Sequence, residues 1–118
     1  LMAGRMGASA MLGLPGNPVS AVVCAKLFMQ PLIRAMQGLP PGPDLARATL
    51  ARDLPPEGDR QHYLRARLTP GDGLPQITPC ADQDSARLWV LAEADALLLR
   101  PAHDPARQAG DVVEFVAL

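Results

Sequence analysis

The chain has 118 residues, 48% hydrophobic and 19% charged, with a formal net charge of -1, which suits one ordinary globular fold and gives no argument for disorder. No apolar run approaches the roughly 20 residues that span a bilayer, and Leu1 to Gly7 lacks the charged and apolar regions of a signal peptide, so a cytoplasmic protein without a membrane partner is expected. Nucleic acid is not an expected partner, because the aromatics are only Trp89, Tyr63, Phe28 and Phe115 and no basic cluster accompanies them.

The charge is uneven along the chain. Residues 1 to 37 carry Arg5, Lys26 and Arg34 and no acid, whereas the remainder sets eight arginines against twelve Asp and Glu. A segment with bases and no acids suits an anionic ligand. Cys24 and Cys80 stand far apart with no CxxC or Cys/His cluster, which predicts two buried, unpaired thiols and no zinc site. His62 and His103 have no partners at metal-ligand spacing. The chain opens at Leu1 within an apolar, glycine-punctuated stretch, so the native start is expected upstream.

In chain order, Ala10 to Leu14 reads as a short strand closed by Pro15 and Gly16. Asn17 followed by Pro18 is an N-cap with proline at the first helical position, so a helix is expected to begin at Pro18. Ala25, Phe28, Met29, Leu32, Ile33 and Met36 recur at helical spacing as one apolar stripe, and Gly38 supplies the stop. Pro31 inside this pattern should cancel a hydrogen bond to the Leu27 carbonyl and kink or divide the helix. Leu39 to Pro43, with three prolines and a glycine, reads as a linker, which divides the chain into residues 1 to 38, a linker at 39 to 43, and a domain over 44 to 118.

Beyond the linker the period changes to two, with Leu64, Ala66 and Leu68 on one face and Tyr63, Arg65 and Arg67 on the other. Similar runs at Ala46 to Asp53, Leu74 to Cys80, Ala96 to Arg100 and Val112 to Val116 are separated by Pro/Gly/Asp-rich turns. Five strands in that length predict a small barrel or sandwich. Ser85 could cap a short helix reaching Glu93.

The most informative segment is Gly13-Leu14-Pro15-Gly16-Asn17-Pro18-Val19-Ser20. Strand, loop and helix N-terminus in that order place N-H groups and the positive end of a helix dipole where an oxyanion can sit, although a capped helix with no ligand has the same local sequence. Gly16 permits close backbone approach, the two prolines stiffen the loop, and Asn17 and Ser20 add polar side chains.

This octapeptide, preceded by Met2-Ala3-Gly4-Arg5 and followed by an apolar helix containing Pro31, resembles the end of the molybdopterin-binding α/β domain in the MoeA and gephyrin E-domain family of molybdenumtransferases. The resemblance continues through Arg60 to Ala66, Gln83-Asp84-Ser85, Ala94-Asp95-Ala96 and Gly110-Asp111-Val112-Val113. It implies a mainly β chain: a C-terminal β-barrel after a strand-loop-helix remnant of the α/β domain. It also implies a homodimeric enzyme that inserts molybdate into adenylylated molybdopterin with release of AMP, assisted by Mg2+. By position, Pro15, Pro18 and Ser85 would be catalytic, and Gly16, Asn17, Ser20 and Arg65 would bind substrate. Arg65 suits an oxyanion as a forked donor, its other reading being a solvated strand residue. Asp84 stands where the family has glycine, which puts a negative charge beside the proposed anion position, and a helix cap at Ser85 stays open as its alternative. The metal-holding acids of the family lie upstream, so no metal ligand is expected in this chain and the piece alone should be inactive. A non-enzymatic scaffold of the same fold is the alternative, and a free strand edge would be its mark.

Overall fold

The computed structural model describes residues 1–84 and 88–118. They form two compact units, Leu1–Pro43 with Asp84–Leu88, and Asp44–Gln83 with Trp89–Leu118.

In the first unit, β1 (Met2–Met6) and β2 (Ser9–Gly13) make an antiparallel hairpin, Met6 opposite Ser9. Gly7 takes the tight turn at φ 61°, a conformation that costs glycine little. The strand expected over Ala10 to Leu14 is therefore β2, and its partner Met2–Met6 was not foreseen. The remnant pairs antiparallel, with nearly all of both strands exposed.

Helix α1 (Pro18–Cys24) starts where the Asn17-Pro18 pair directs it, and α2 (Gln30–Met36) continues from it through a π-helical segment, Ala25–Met29. Pro31 is the cause of the division. With no N-H to give, it breaks the i to i-4 ladder, and the chain widens by one residue so that the Gln30 N-H reaches the Ala25 carbonyl. At the other end Leu39 N-H bonds Arg34 O at 2.9 Å and Gly38 N-H bonds Ala35 O at 3.1 Å, a Schellman closure with Gly38 at φ 74°. Against the expectation that no apolar run approaches that length, Pro18–Met36 is 19 residues long and apolar enough to cross a bilayer by length and composition. Lys26, Gln30 and Arg34 nevertheless form a polar stripe at helical spacing, the mark of an amphipathic helix. The anticipated apolar stripe does not pack in the described chain: Phe28, Met29, Ile33 and Met36 are exposed, and Val19 and Leu27 are the buried residues.

In the second unit, among the described residues, β3 (Leu45–Leu50), β4 (His62–Thr69), β5 (Gln76–Pro79), β6 (Ala96–Arg100) and β7 (Val112–Ala117) close a barrel in the order β3-β5-β4-β6-β7. All neighbours are antiparallel except β3 and β5, which pair in parallel at Thr49 and Leu50. The barrel was one of the two architectures the period predicted. Alternation sends Ala48, Leu50, Leu64, Ala66, Ile77, Leu98, Val113 and Phe115 into the core, with Leu68 packed against it. A short helix α3 (Leu88–Glu93) precedes β6.

The turn from β4 to β5 has one steric condition. A Cβ on Gly71 would stand 2.5 Å from the Leu74 carbonyl oxygen, whereas one on Gly58 would meet nothing within 4 Å. Gly71→Ala should cost about 1 to 3 kcal/mol through overpacking and Gly58→Ala close to nothing. Urea midpoints of the two variants check this.

Candidate functional site

The loop Pro15 to Ser20 is organised around Asn17. In an extended conformation (φ -71°, ψ 125°), Asn17 accepts through Oδ1 from Val19 N-H at 3.0 Å and Ser20 N-H at 3.2 Å, while its carbonyl accepts from Ala21 N-H at 2.8 Å. Pro18 has no N-H. The first-turn donors that a phosphate or molybdate could have used are thus already engaged by the cap. Beyond those engaged donors, the Ser20 hydroxyl and the Asn17 amide nitrogen are side-chain groups, and the Gly16 and Asn17 N-H are backbone groups, that the loop can offer a ligand. Around Gly16 the position of a Cβ is open, so no contact within the described chain requires glycine there.

In the barrel unit, Arg65 sits on β4 opposite Leu97 of β6, and Leu97 in turn faces Val116 of β7. All three point away from the core, yet Arg65 is 6% exposed, Leu97 0% and Val116 2%. The reading of Arg65 as a solvated strand residue does not hold. Its Nε and Nη2 are buried and have no hydrogen-bond partner among the described residues. A buried guanidinium with two open donors is costly to leave unpaired, which is a reason to look for an anion there. Arg67, two residues on, is half-exposed and paired with Glu93 at 2.6 Å.

The backbone of Arg65 is held with more care than its side chain. Its carbonyl accepts from Cys80 N-H at 2.8 Å and from the Gln83 side-chain amide at 3.0 Å, while its own N-H donates to Gln83 Oε1 at 3.0 Å. Cys80 also lines an open groove of about 440 Å³ with Arg67, Pro79 and Trp89. Burial pushes its thiol upward, with Arg67 and Arg65 pulling the other way. Both cysteines are unpaired but half-buried, less enclosed than expected.

Pro15, Gly16, Asn17, Pro18 and Ser20 are brought together by one loop of the first unit, Arg65 belongs to the barrel unit, and Ser85 lies outside the described residues. Gln83 and Asp95 are the residues that sequence reasoning did not single out. Asp95 takes the Leu68 N-H on its Oδ2 at 2.9 Å and donates its own N-H to Ala66 O, so the Ala94-Asp95-Ala96 motif is a fastening of β4. The signal was their place in the motifs Gln83-Asp84-Ser85 and Ala94-Asp95-Ala96.

The family model of the MoeA C-terminal region (domain IV) matches residues 47–118. The chain belongs to this family. Relatives named molybdopterin molybdenumtransferase include that of Synechococcus elongatus, 38% identical over 109 residues (92% of this chain, 26% of the relative). That of Nostoc sp. is 34% identical over 93 residues (76% and 21%). Molybdopterin molybdenumtransferase 2 of Mycobacterium tuberculosis is 34% identical over 116 residues (97% and 26%). This MoeA-family chain thus spans about a quarter of the length of these relatives. In fold it is similar to crystal structures of a molybdopterin biosynthesis moeA protein from Pyrococcus horikoshii. One has TM-score 0.74 and 22% identity over 98% of this chain and 28% of that one, and another has TM-score 0.68 and 21% identity over 87% and 26%.

Proposed function

We propose that the chain is the barrel-bearing part of a cytoplasmic, homodimeric molybdopterin molybdenumtransferase, which inserts molybdate into adenylylated molybdopterin and releases AMP. The observation that carries this reading is Arg65, a buried fork of donors left open on a barrel strand of a MoeA-family chain. A planar guanidinium suits a tetrahedral oxyanion, and in a site of low dielectric each charge-assisted bond is strengthened. Pro15, Gly16, Asn17, Pro18 and Ser20 shape and border the substrate loop in this reading, with Pro18 at the first helical position and Asn17 as its cap fixing where the Ser20 hydroxyl sits. Ser85 is a further donor.

The residues present do not fit the divalent cation that the reaction implies: among the described residues no group of three or more His, Cys, Asp or Glu could hold a metal. The chain alone is inactive in this reading. The barrel strands close on one another, whereas the exposed two-stranded β1–β2 sheet keeps open edges among the described residues, so the scaffold alternative would have to use that hairpin.

The test uses the full-length enzyme. Pro18→Gly releases the fixed φ at the helix start and should lower molybdate insertion by about 10²-fold while the protein still folds, because small misplacements at a site cost that much. Insertion at the unmutated rate would show that the loop does not border the active site.

A further inference from the structure

Strand β5 ends at Pro79, one residue before the ladder beside Arg65 is complete. Cys80 N-H still reaches the Arg65 carbonyl, but the Arg65 N-H has no backbone acceptor on that side and turns to Gln83 Oε1. The Gln83 amide nitrogen then closes the ring, donating to the Arg65 carbonyl at 3.0 Å and to the Cys80 carbonyl at 2.9 Å. One side-chain amide therefore substitutes for a peptide unit, accepting and donating as a neighbouring strand would. At Gln76, Ile77 and Thr78, β4 has ordinary strand partners and needs no such substitute. The substitute stands at the one residue of β4 whose side chain is a buried cation with open donors.

We propose that Gln83 is a positioning residue for Arg65: by completing the ladder at that residue it fixes the Cα-Cβ direction of Arg65 and so aims Nε-H and Nη2 at the place an oxyanion would occupy. The identity of that oxyanion rests on the function proposed above, but the positioning does not. Geometry within a few tenths of an ångström matters here, because a forked donor loses one of its two bonds when its strand rotates.

The experiment is nuclear magnetic resonance on the 15N-labelled chain, with the Arg65 Nε-H as reporter and the methyls of Leu64 and Leu98 as a record of the core. Gln83→Met keeps side-chain length and removes all three hydrogen bonds. The expected result is loss of order at Arg65 Nε-H and solvent exchange at least about tenfold faster, with the core methyls unmoved. Gln83→Glu retains the acceptor for the Arg65 N-H but sets an oxygen against two carbonyls. It should loosen Nε-H as well, and it keeps the test alive should the Met variant not fold. An Arg65 Nε-H that stays as ordered in both variants as in the parent overturns the proposal, and so does a core that loosens as much as Arg65. Adding molybdate to the parent separates the two readings. A shift of Arg65 Nε-H that weakens about tenfold in apparent affinity in Gln83→Met supports both. No shift in the parent removes the oxyanion reading, with the positioning then decided by the order measurement.

Discussion

Asp104→Asn should be the most destabilising conservative substitution in the barrel, at about 3 kcal/mol, seen as a fall in melting temperature of roughly 10 °C. Arg100, 1% exposed at the end of β6, donates from Nε to Asp104 Oδ2 at 2.6 Å and from Nη2 to the carbonyls of Pro55 and Pro105. Arg107 joins the same carboxylate from the other side. An asparagine leaves the shape and removes the charge, so the buried guanidinium keeps its carbonyl partners and a 3.7 Å approach to Glu57 but loses its close counter-ion. The hydrogen bond from Arg107, then that from Arg100, holds the Asp104 carboxyl below the usual aspartate range in spite of burial, which works the other way. A depressed carboxylate contributes stability that is complete above the unfolded pKa of about 3.9 and is lost as pH falls through the lower folded value. The gap between parent and variant should therefore be full near neutral pH, narrow below about pH 4 and close in stronger acid. Urea melts across that range check it, and a gap that does not change with pH would mean that the charge of Asp104 is not what the variant removes.

This cluster also shows what a sequence can carry. Leu64, Ala66 and Leu68 alternate with polar neighbours, and period two alone placed them on the inward face of a strand. Asn17-Pro18 and Gly38 marked the helix ends because capping is local chemistry. Arg65 was illegible in the same terms, since alternation assigns a face but not what lies over it, and here the outer face is buried too; Arg100 falls on the inward face with Ala96 and Leu98, where alternation records nothing of the Asp104 carboxylate that meets it. Met2–Met6 was missed because Met-Ala-Gly-Arg-Met has no β-branched residue and no alternation, and its pairing depends on a glycine turn and a partner strand. Gln83, Asp95 and Asp111 act through side-chain bonds to distant or neighbouring backbone, which no periodicity records. Gly110-Asp111 belongs to that group: Gly110 at φ 93° and the Asp111 carbonyl bracket Leu50, so this motif closes the barrel and has no need of a ligand to explain it.

Arg65→Met should move stability and function in opposite directions. A guanidinium that is almost wholly buried, with Nε and Nη2 unpartnered among the described residues, carries a desolvation cost that hydrogen bonds at those two atoms do not offset. Methionine has a similar length and no polar atom to strand, and beside Leu97 it keeps apolar contact on the same face. The melting temperature of the chain should rise by several degrees, corresponding to about 1 to 3 kcal/mol. If the proposed function holds, the same change in the full-length protein should lower molybdate insertion by about 10²-fold or more, the scale on which a single donor to a reacting oxyanion contributes. Arg65→Lys separates charge from shape: the ammonium keeps the positive charge but offers no planar fork, so insertion should stay well below the parent and the stability gain should disappear. A melting temperature that falls in Arg65→Met while insertion proceeds unchanged would make Arg65 a structural residue and remove the observation that carries the proposed function.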